Sequence, residues 1–176
     1  MAADEYWKAI GRFACLYEDV QIFFDSPWWK NSYWGLVVVS SSDLRLRAVE
    51  NSDQLVYTPE HSSLKKYERI PVRIRHMANN NIFIGDPLSK PHPAFWEQVA
   101  TNIGYNPEED AAIMIGDMPN IDLVGLPRGF VPILIDRDRQ QWGREARQAR
   151  YIIHSFDALP SILETTEAKV RERSEP

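Results

Sequence analysis

The feature that most narrows the folds open to this chain is a series of short apolar runs separated by stretches with helical spacing. The runs are Gly35-Leu36-Val37-Val38-Val39, Ala111-Ala112-Ile113-Met114-Ile115, Phe130 to Ile135 and Tyr151-Ile152-Ile153. A continuous apolar run of this length, rich in β-branched residues, reads as a strand buried on both faces, as in a parallel sheet. Ile82-Phe83-Ile84 is a further short strand. Between them, Pro93 opens a helix whose apolar face is Phe95, Trp96, Val99, Ala100 and Ile103, and Gly104 stops it. Strands alternating with helices imply βαβ units and a mostly parallel sheet. Ligands of such sheets sit at the carboxyl ends of the strands. Ser40 and Asp117 each follow a strand directly, so both belong to that edge.

The remaining segments carry weaker signals. Trp7, Ile10, Phe13, Ala14 and Tyr17 have helical spacing. Val20 to Phe24 suits a strand or a helix end, and Pro27 to Ser32 reads as irregular. Asp43 to Val49 starts as a helix. Asn51 to Asn81 is polar, with a loop at Asn79-Asn80-Asn81. Asn106-Pro107-Glu108-Glu109 has the form of a cap followed by a first-turn proline and acids. A helical turn is expected near Asp122 to Leu126 and a polar helix from Gln140 to Ala149. Ser155 caps a short final helix reaching Leu163, and the charged residues from Glu164 to Pro176 read as a frayed tail.

Composition excludes several classes. The formal charge is −5 and no basic stripe occurs, which argues against a nucleic-acid partner. No apolar run approaches a membrane span. The first residues, Met1-Ala2-Ala3-Asp4-Glu5, lack the apolar core of a secretory signal. The single cysteine, Cys15, has no internal disulfide partner and no zinc spacing. Together these place the protein in the cytoplasm or nucleus. Trp28, Trp29 and Trp34 read as packing residues, with an exposed partner surface as the alternative.

Three pieces carry chemistry. They are Val37-Val38-Val39-Ser40, then Ser89-Lys90-Pro91-His92-Pro93, then Ile113-Met114-Ile115-Gly116-Asp117 with Asp122 five residues on. A hydroxyl and an ammonium at strand ends suit a phosphoryl group, the ammonium offsetting charge that builds during transfer. Mg²⁺ takes one or two carboxylates plus water and substrate oxygens, which suits Asp117 and Asp122.

Lys90-Pro91-His92-Pro93, Gly116-Asp117 to Asp122 and Gly125, and Ser155 to Pro160 resemble the C-terminal half of haloacid dehalogenase-like (HAD) hydrolases. Ser40-Ser41-Ser42-Asp43-Leu44-Arg45-Leu46 is similar to that family's serine motif. The likeness is strong from Pro87 to Leu163 and fair from Leu36 to Val49. It implies an α/β fold, a HAD-like Rossmannoid three-layer sandwich around a parallel sheet. Residues 1–34 would be a cap-like helical remnant, 35–163 the core and 164–176 the tail. It further implies phosphatase-type, Mg²⁺-dependent hydrolysis of a phosphorylated small molecule. Ser40 would bind the phosphoryl oxygen, Lys90 would neutralise nucleophile and phosphate, Asp117 would hold Mg²⁺, and Asp122 would support the same site.

One element of the family pattern is missing. The nucleophile motif, Asp-x-Asp-x-Thr, should precede Ser40, and this sequence has none there. Asp25, after Val20 to Phe24, is a substitute, but Pro27 stands where the second aspartate belongs. Asp136-Arg137-Asp138 has the spacing but follows the wrong strand, and reads as a solvated strand end. The expectation is therefore a hydrolase scaffold with an incomplete sheet and impaired catalysis. The alternatives are a non-catalytic binding or regulatory module on that scaffold, or a fragment of an active longer hydrolase. The loop from Gly125 to Gly129 is also short, which bears on Asp122.

Overall fold

The computed structural model describes residues 16–40, 46–48, 55–57, 77–78, 81–84, 88–140 and 142–174. The helix expected from Tyr6 to Tyr17 lies outside them except for its last two residues, Leu16 and Tyr17, which are not helical. The order is α1 (Glu18–Asp25), α2 (Pro27–Lys30), β1 (Val38–Ser40), β2 (Leu46–Ala48), β3 (Leu55–Tyr57), β4 (Ile82–Ile84), α3 (Pro93–Asn102), β5 (Ala112–Gly116), α4 (Pro119–Asp122), β6 (Phe130–Ile135), β7 (Tyr151–Ile153) and α5 (Leu159–Ser174). Short 3₁₀ turns cover Glu145–Gln148 and Phe156–Ala158. The chain is mixed α/β. It divides into two compact units, one of residues 1–18 and 32–87, the other of 19–31 and 88–176. No described helix is long and apolar enough to cross a membrane.

In the first unit, β1 and β4 pair in parallel, with Val38 opposite Ile82 and Ser40 opposite Ile84. Val38 N–H extends the ladder by donating to Asn81 O at 3.0 Å. β2 pairs antiparallel with β3. This corrects the helix expected from Asp43. Leu44-Arg45-Leu46-Arg47-Ala48 alternates apolar and charged residues, which is strand periodicity.

The second unit is built on a three-stranded parallel sheet in the order β5-β6-β7. β6 is central, and Val131, Ile133 and Leu134 on it are buried. β5, with one described neighbour, is half-buried along most of its length. The apolar runs alone predicted burial on both faces for both strands; position in the sheet decides the difference. Phe95, Trp96, Val99 and Ala100 of α3 join these residues in the core, with Leu159, Ile162 and Leu163 of α5. α3 ends in a Schellman motif. Tyr105 N–H reaches Ala100 O, Gly104 N–H reaches Thr101 O, and Gly104 takes φ +69°.

Several boundaries differ from the sequence reading. Val20 to Phe24 is helical, and Val20, Phe23 and Phe24 form its buried face. Pro27 to Lys30 is a short helix capped by Ser26, whose Oγ accepts from Trp29 N–H at 3.2 Å. Asn106 to Asp110 closes into a single turn through Asp110 N–H to Asn106 O and Asn106 N–H to Asp110 Oδ2. Pro119 opens the helical turn expected further on, at Asp122. Among the described residues of 140–149 the only helical turn is the 3₁₀ one, since this polar stretch offers no apolar face to bury. The final helix runs to Ser174, past the expected end. Thr166 is buried on it, and Arg171 pairs with Glu167 one turn back.

Candidate functional site

The site in the second unit is built from two turns locked together at the carboxyl end of β5. The first follows Gly116. Ile121 and Asp122 N–H both donate to Met118 O, at 2.9 and 2.7 Å, which folds Met118 to Asp122 back on itself. Asp122 Oδ2 then accepts from Met118 N–H at 3.0 Å, capping the turn from its far end. That brings the Asp122 side chain against the backbone of Gly116. A Cβ at Gly116 would lie 2.2 Å from Asp122 Cβ, a distance no side chain tolerates. Glycine is required there to admit the aspartate.

The second turn carries Lys90. His92 N–H donates to Ser89 O at 3.0 Å across Lys90-Pro91, whose peptide bond is cis. Pro93 then opens α3, capped by the His92 imidazole. Gly125 joins the two turns. At φ +73°, a Cβ on it would meet Pro91 O at 2.7 Å and Pro93 Cα at 3.3 Å. Trp96 Nε1 on α3 donates to Val124 O at 3.0 Å and fastens the helix to the same loop.

Lys90 Nζ and Asp122 Oδ1 meet at 2.5 Å across this junction, with side chains 9% and 7% exposed. An ion pair so far out of water persists only when its remaining valences are also met. For Asp122, Met118 N–H meets the second oxygen. The short loop from Gly125 to Gly129 leaves this contact in place. Asp117 differs. It is exposed directly after β5, and its side chain makes no hydrogen bond or ion pair with a described residue.

Sequence-predicted residues thus fall out as follows. Lys90 and Asp122 are in contact, and Asp117 opens the loop that Asp122 closes. Ser40 ends β1 in the first unit. Asp25 is the exposed last residue of α1, so it ends a helix and not a strand. Asp136, read as solvated, is 5% exposed. Its Oδ1 accepts from Gln140 N–H at 2.8 Å, which makes it the organiser of its own loop.

Sequence reasoning passed over Asp19. Its Oδ2 accepts from Arg137 Nη1 and from Phe156 N–H, each at 2.8 Å. Burial alone would push its carboxyl up. The Arg137 hydrogen bond and charge, with the Phe156 N–H, outweigh that and hold it below the ordinary value. An acid next to the first residue of an amphipathic helix is a common surface feature, so no local signal marks it.

Asp117, exposed, offers hard carboxylate oxygens that suit Mg²⁺, which completes its shell with water and phosphate oxygens, whereas both oxygens of Asp122, expected as the second donor, are taken by Lys90 and Met118 N–H. Among the described residues no group of three or more His, Cys, Asp or Glu is placed to hold a metal. A Mg²⁺ site of one or two carboxylates does not require one. No protein-family model matches the chain, and no curated protein matches it.

Proposed function

We propose that the chain is a HAD-like scaffold of phosphatase type, binding a phosphorylated small molecule and Mg²⁺ through Lys90 and Asp117, with catalysis impaired. The observation that carries this reading is the buried Lys90–Asp122 pair at the carboxyl end of β5, next to the exposed Asp117. Gly116 and Gly125 exist as glycines because that junction leaves no room for a Cβ. The two glycines of that spacing thus have a physical reason to be glycine, which supports the reading.

The charges indicate how the site would work. Asp122 already neutralises Lys90, and Asp117 adds a negative charge. An anionic phosphate meets no net positive charge there unaided. Mg²⁺, when bound, supplies that charge and neutralises phosphoryl oxygens. The chain's own part is to hold the ammonium still and to present Asp117. With no Asp-x-Asp-x-Thr in the sequence, the covalent step has no assigned nucleophile, and such a loss costs orders of magnitude in rate.

Titration calorimetry tests this. Inorganic phosphate is expected to bind only with Mg²⁺ present, and Asp117→Asn to abolish both. p-Nitrophenyl phosphate is expected to remain unhydrolysed. Rapid turnover lost in Asp25→Asn would reinstate that residue as nucleophile, while phosphate binding indifferent to Mg²⁺ and to Asp117→Asn would end the scaffold reading. The alternative of an exposed tryptophan surface is disfavoured by Trp28 and Trp29, whose rings pack on Phe23 at 6.0 and 5.4 Å.

A further inference from the structure

The acidic excess of the chain is not evenly spread. Residues 137–150 carry five arginines against Asp138 and Glu145, in a chain of formal charge −5. Arg137 belongs to the fold through its pair with Asp19. Arg139, Arg144, Arg147 and Arg150 are exposed, and none of their side chains makes an ion pair or hydrogen bond with a described residue. The two local acids do not neutralise them. Arg147 N–H donates to Arg144 O at 3.2 Å in the 3₁₀ turn of Glu145–Gln148, where residues three apart eclipse. Arg144 and Arg147 therefore share a face of the turn, and Glu145 falls outside it. The turn packs against α4, and Arg150 N–H donates to Pro132 O at 2.8 Å just before β7, so the backbone is held at both places. Trp142, between Arg139 and Arg144, has its Nε1 buried with no acceptor among the described residues. The segment thus holds a surplus of positive charge and of N–H donors.

We propose that Arg139, Arg144, Arg147 and Arg150 form a docking surface for an aspartate- and glutamate-rich segment of a partner protein. The positive charge here is all guanidinium, since the sequence holds no lysine between Lys90 and Lys169. A guanidinium presents a planar fork of donors that matches a carboxylate, where an ammonium is a strongly hydrated point charge. Arginine is accordingly enriched at protein interfaces and lysine depleted. Like charges three apart on one helical face repel, and a carboxylate bound at that face relieves the repulsion. Charge also decides among anions. A nucleic acid carries evenly spaced phosphates past the ends of the segment and over the acidic remainder of the chain. A short acidic peptide does not. A free phosphate meets exposed side chains that stay hydrated and screened by salt.

The test is fluorescence anisotropy of a labelled hexaglutamate peptide titrated with the protein at low salt. Hexaglutamate is expected to bind, and the double variant Arg144→Gln, Arg147→Gln to weaken it about ten-fold, the combined effect of two exposed ion pairs. The variant should melt as the native protein does, because neither side chain holds another part of the fold. Arg171→Gln removes an exposed arginine of α5 that is paired with Glu167, and should leave binding unchanged. Absence of binding overturns the proposal, as does equal weakening by Arg171→Gln. So does tighter binding, in competition, of a single-stranded deoxynucleotide hexamer or of inorganic phosphate. A second readout needs no variant. The amide resonances of Arg144 to Arg150 should shift on addition of hexaglutamate, and shifts confined to other residues reject the surface. No measurement here uses Mg²⁺ or alters Lys90 or Asp117, so the result is independent of the function proposed above.

Discussion

Asp122 is the residue on which most of the site's geometry converges, because each carboxylate oxygen has a separate task. Oδ1 holds Lys90 and Oδ2 holds the Met118 N–H. Asp122→Asn keeps the shape and removes the charge that faces the nearly buried Lys90 ammonium. Breaking one side of a buried pair costs about 3–5 kcal/mol. Urea unfolding should therefore show a large fall in midpoint; an unchanged midpoint would mean the pair is solvated in solution. Gly116 supplies a second test at the same spot. Gly116→Ala drives a methyl into Asp122 and should cost at least about 1–3 kcal/mol, as overpacking does. Gly35→Ala meets nothing within 4 Å and should change stability by less than about 1 kcal/mol. Equal effects from the two would contradict the close approach.

At the scale of elements, α1 shows how a helix with weak intrinsic support is held. Its eight residues are too few to persist alone. Phe23 and Phe24 bury against Phe156 at ring separations of 5.7 and 6.3 Å, and Asp19 ties the helix to Arg137 and Phe156. The Asp19 carboxyl is held below its ordinary value, so its contribution is complete above the unfolded value of about 3.9 and is lost as pH falls through the lowered one. The stability gap between native protein and Asp19→Asn should be about 1–3 kcal/mol near neutrality, and should close only below about pH 4. A gap that closes nearer neutrality would show that Arg137 does not hold the charge.

None of these long-range ties is visible in the residues of α1, which is why Val20 to Phe24 reads equally as strand or helix. β6 and β7, by contrast, begin and end where their apolar runs do, because burial and periodicity act on the same residues. The Lys90 turn was legible for a similar reason: proline at a first helical position and glycine at a left-handed one are local requirements. The partner of Lys90 was not, since contact across thirty-two positions depends on how two turns dock.

Across the whole molecule the chain order and the spatial grouping disagree. Residues 19–31 belong with 88–176, and the intervening 32–87 form a unit with the first residues. The hairpin of α1 and α2 therefore reaches its place through contacts such as Asp19 with Arg137, Phe23 with Phe156 and Trp28 with Glu164. Each closes a loop of more than a hundred residues, and that entropy must be met before the contact yields any stabilisation. Contacts of this kind form late, after the local pairing of β5, β6 and β7. Phe23→Ala should accordingly cost about 3–5 kcal/mol at equilibrium while leaving the folding rate nearly unchanged. The loss should fall on the unfolding limb of the denaturant dependence. Ile133→Val on central β6 should instead slow folding, because that strand is buried within the sheet that forms first. Stopped-flow measurements on the two variants separate the cases. A Phe23→Ala protein that folds slowly and unfolds at the native rate would place the hairpin in the nucleus and reverse the assembly order.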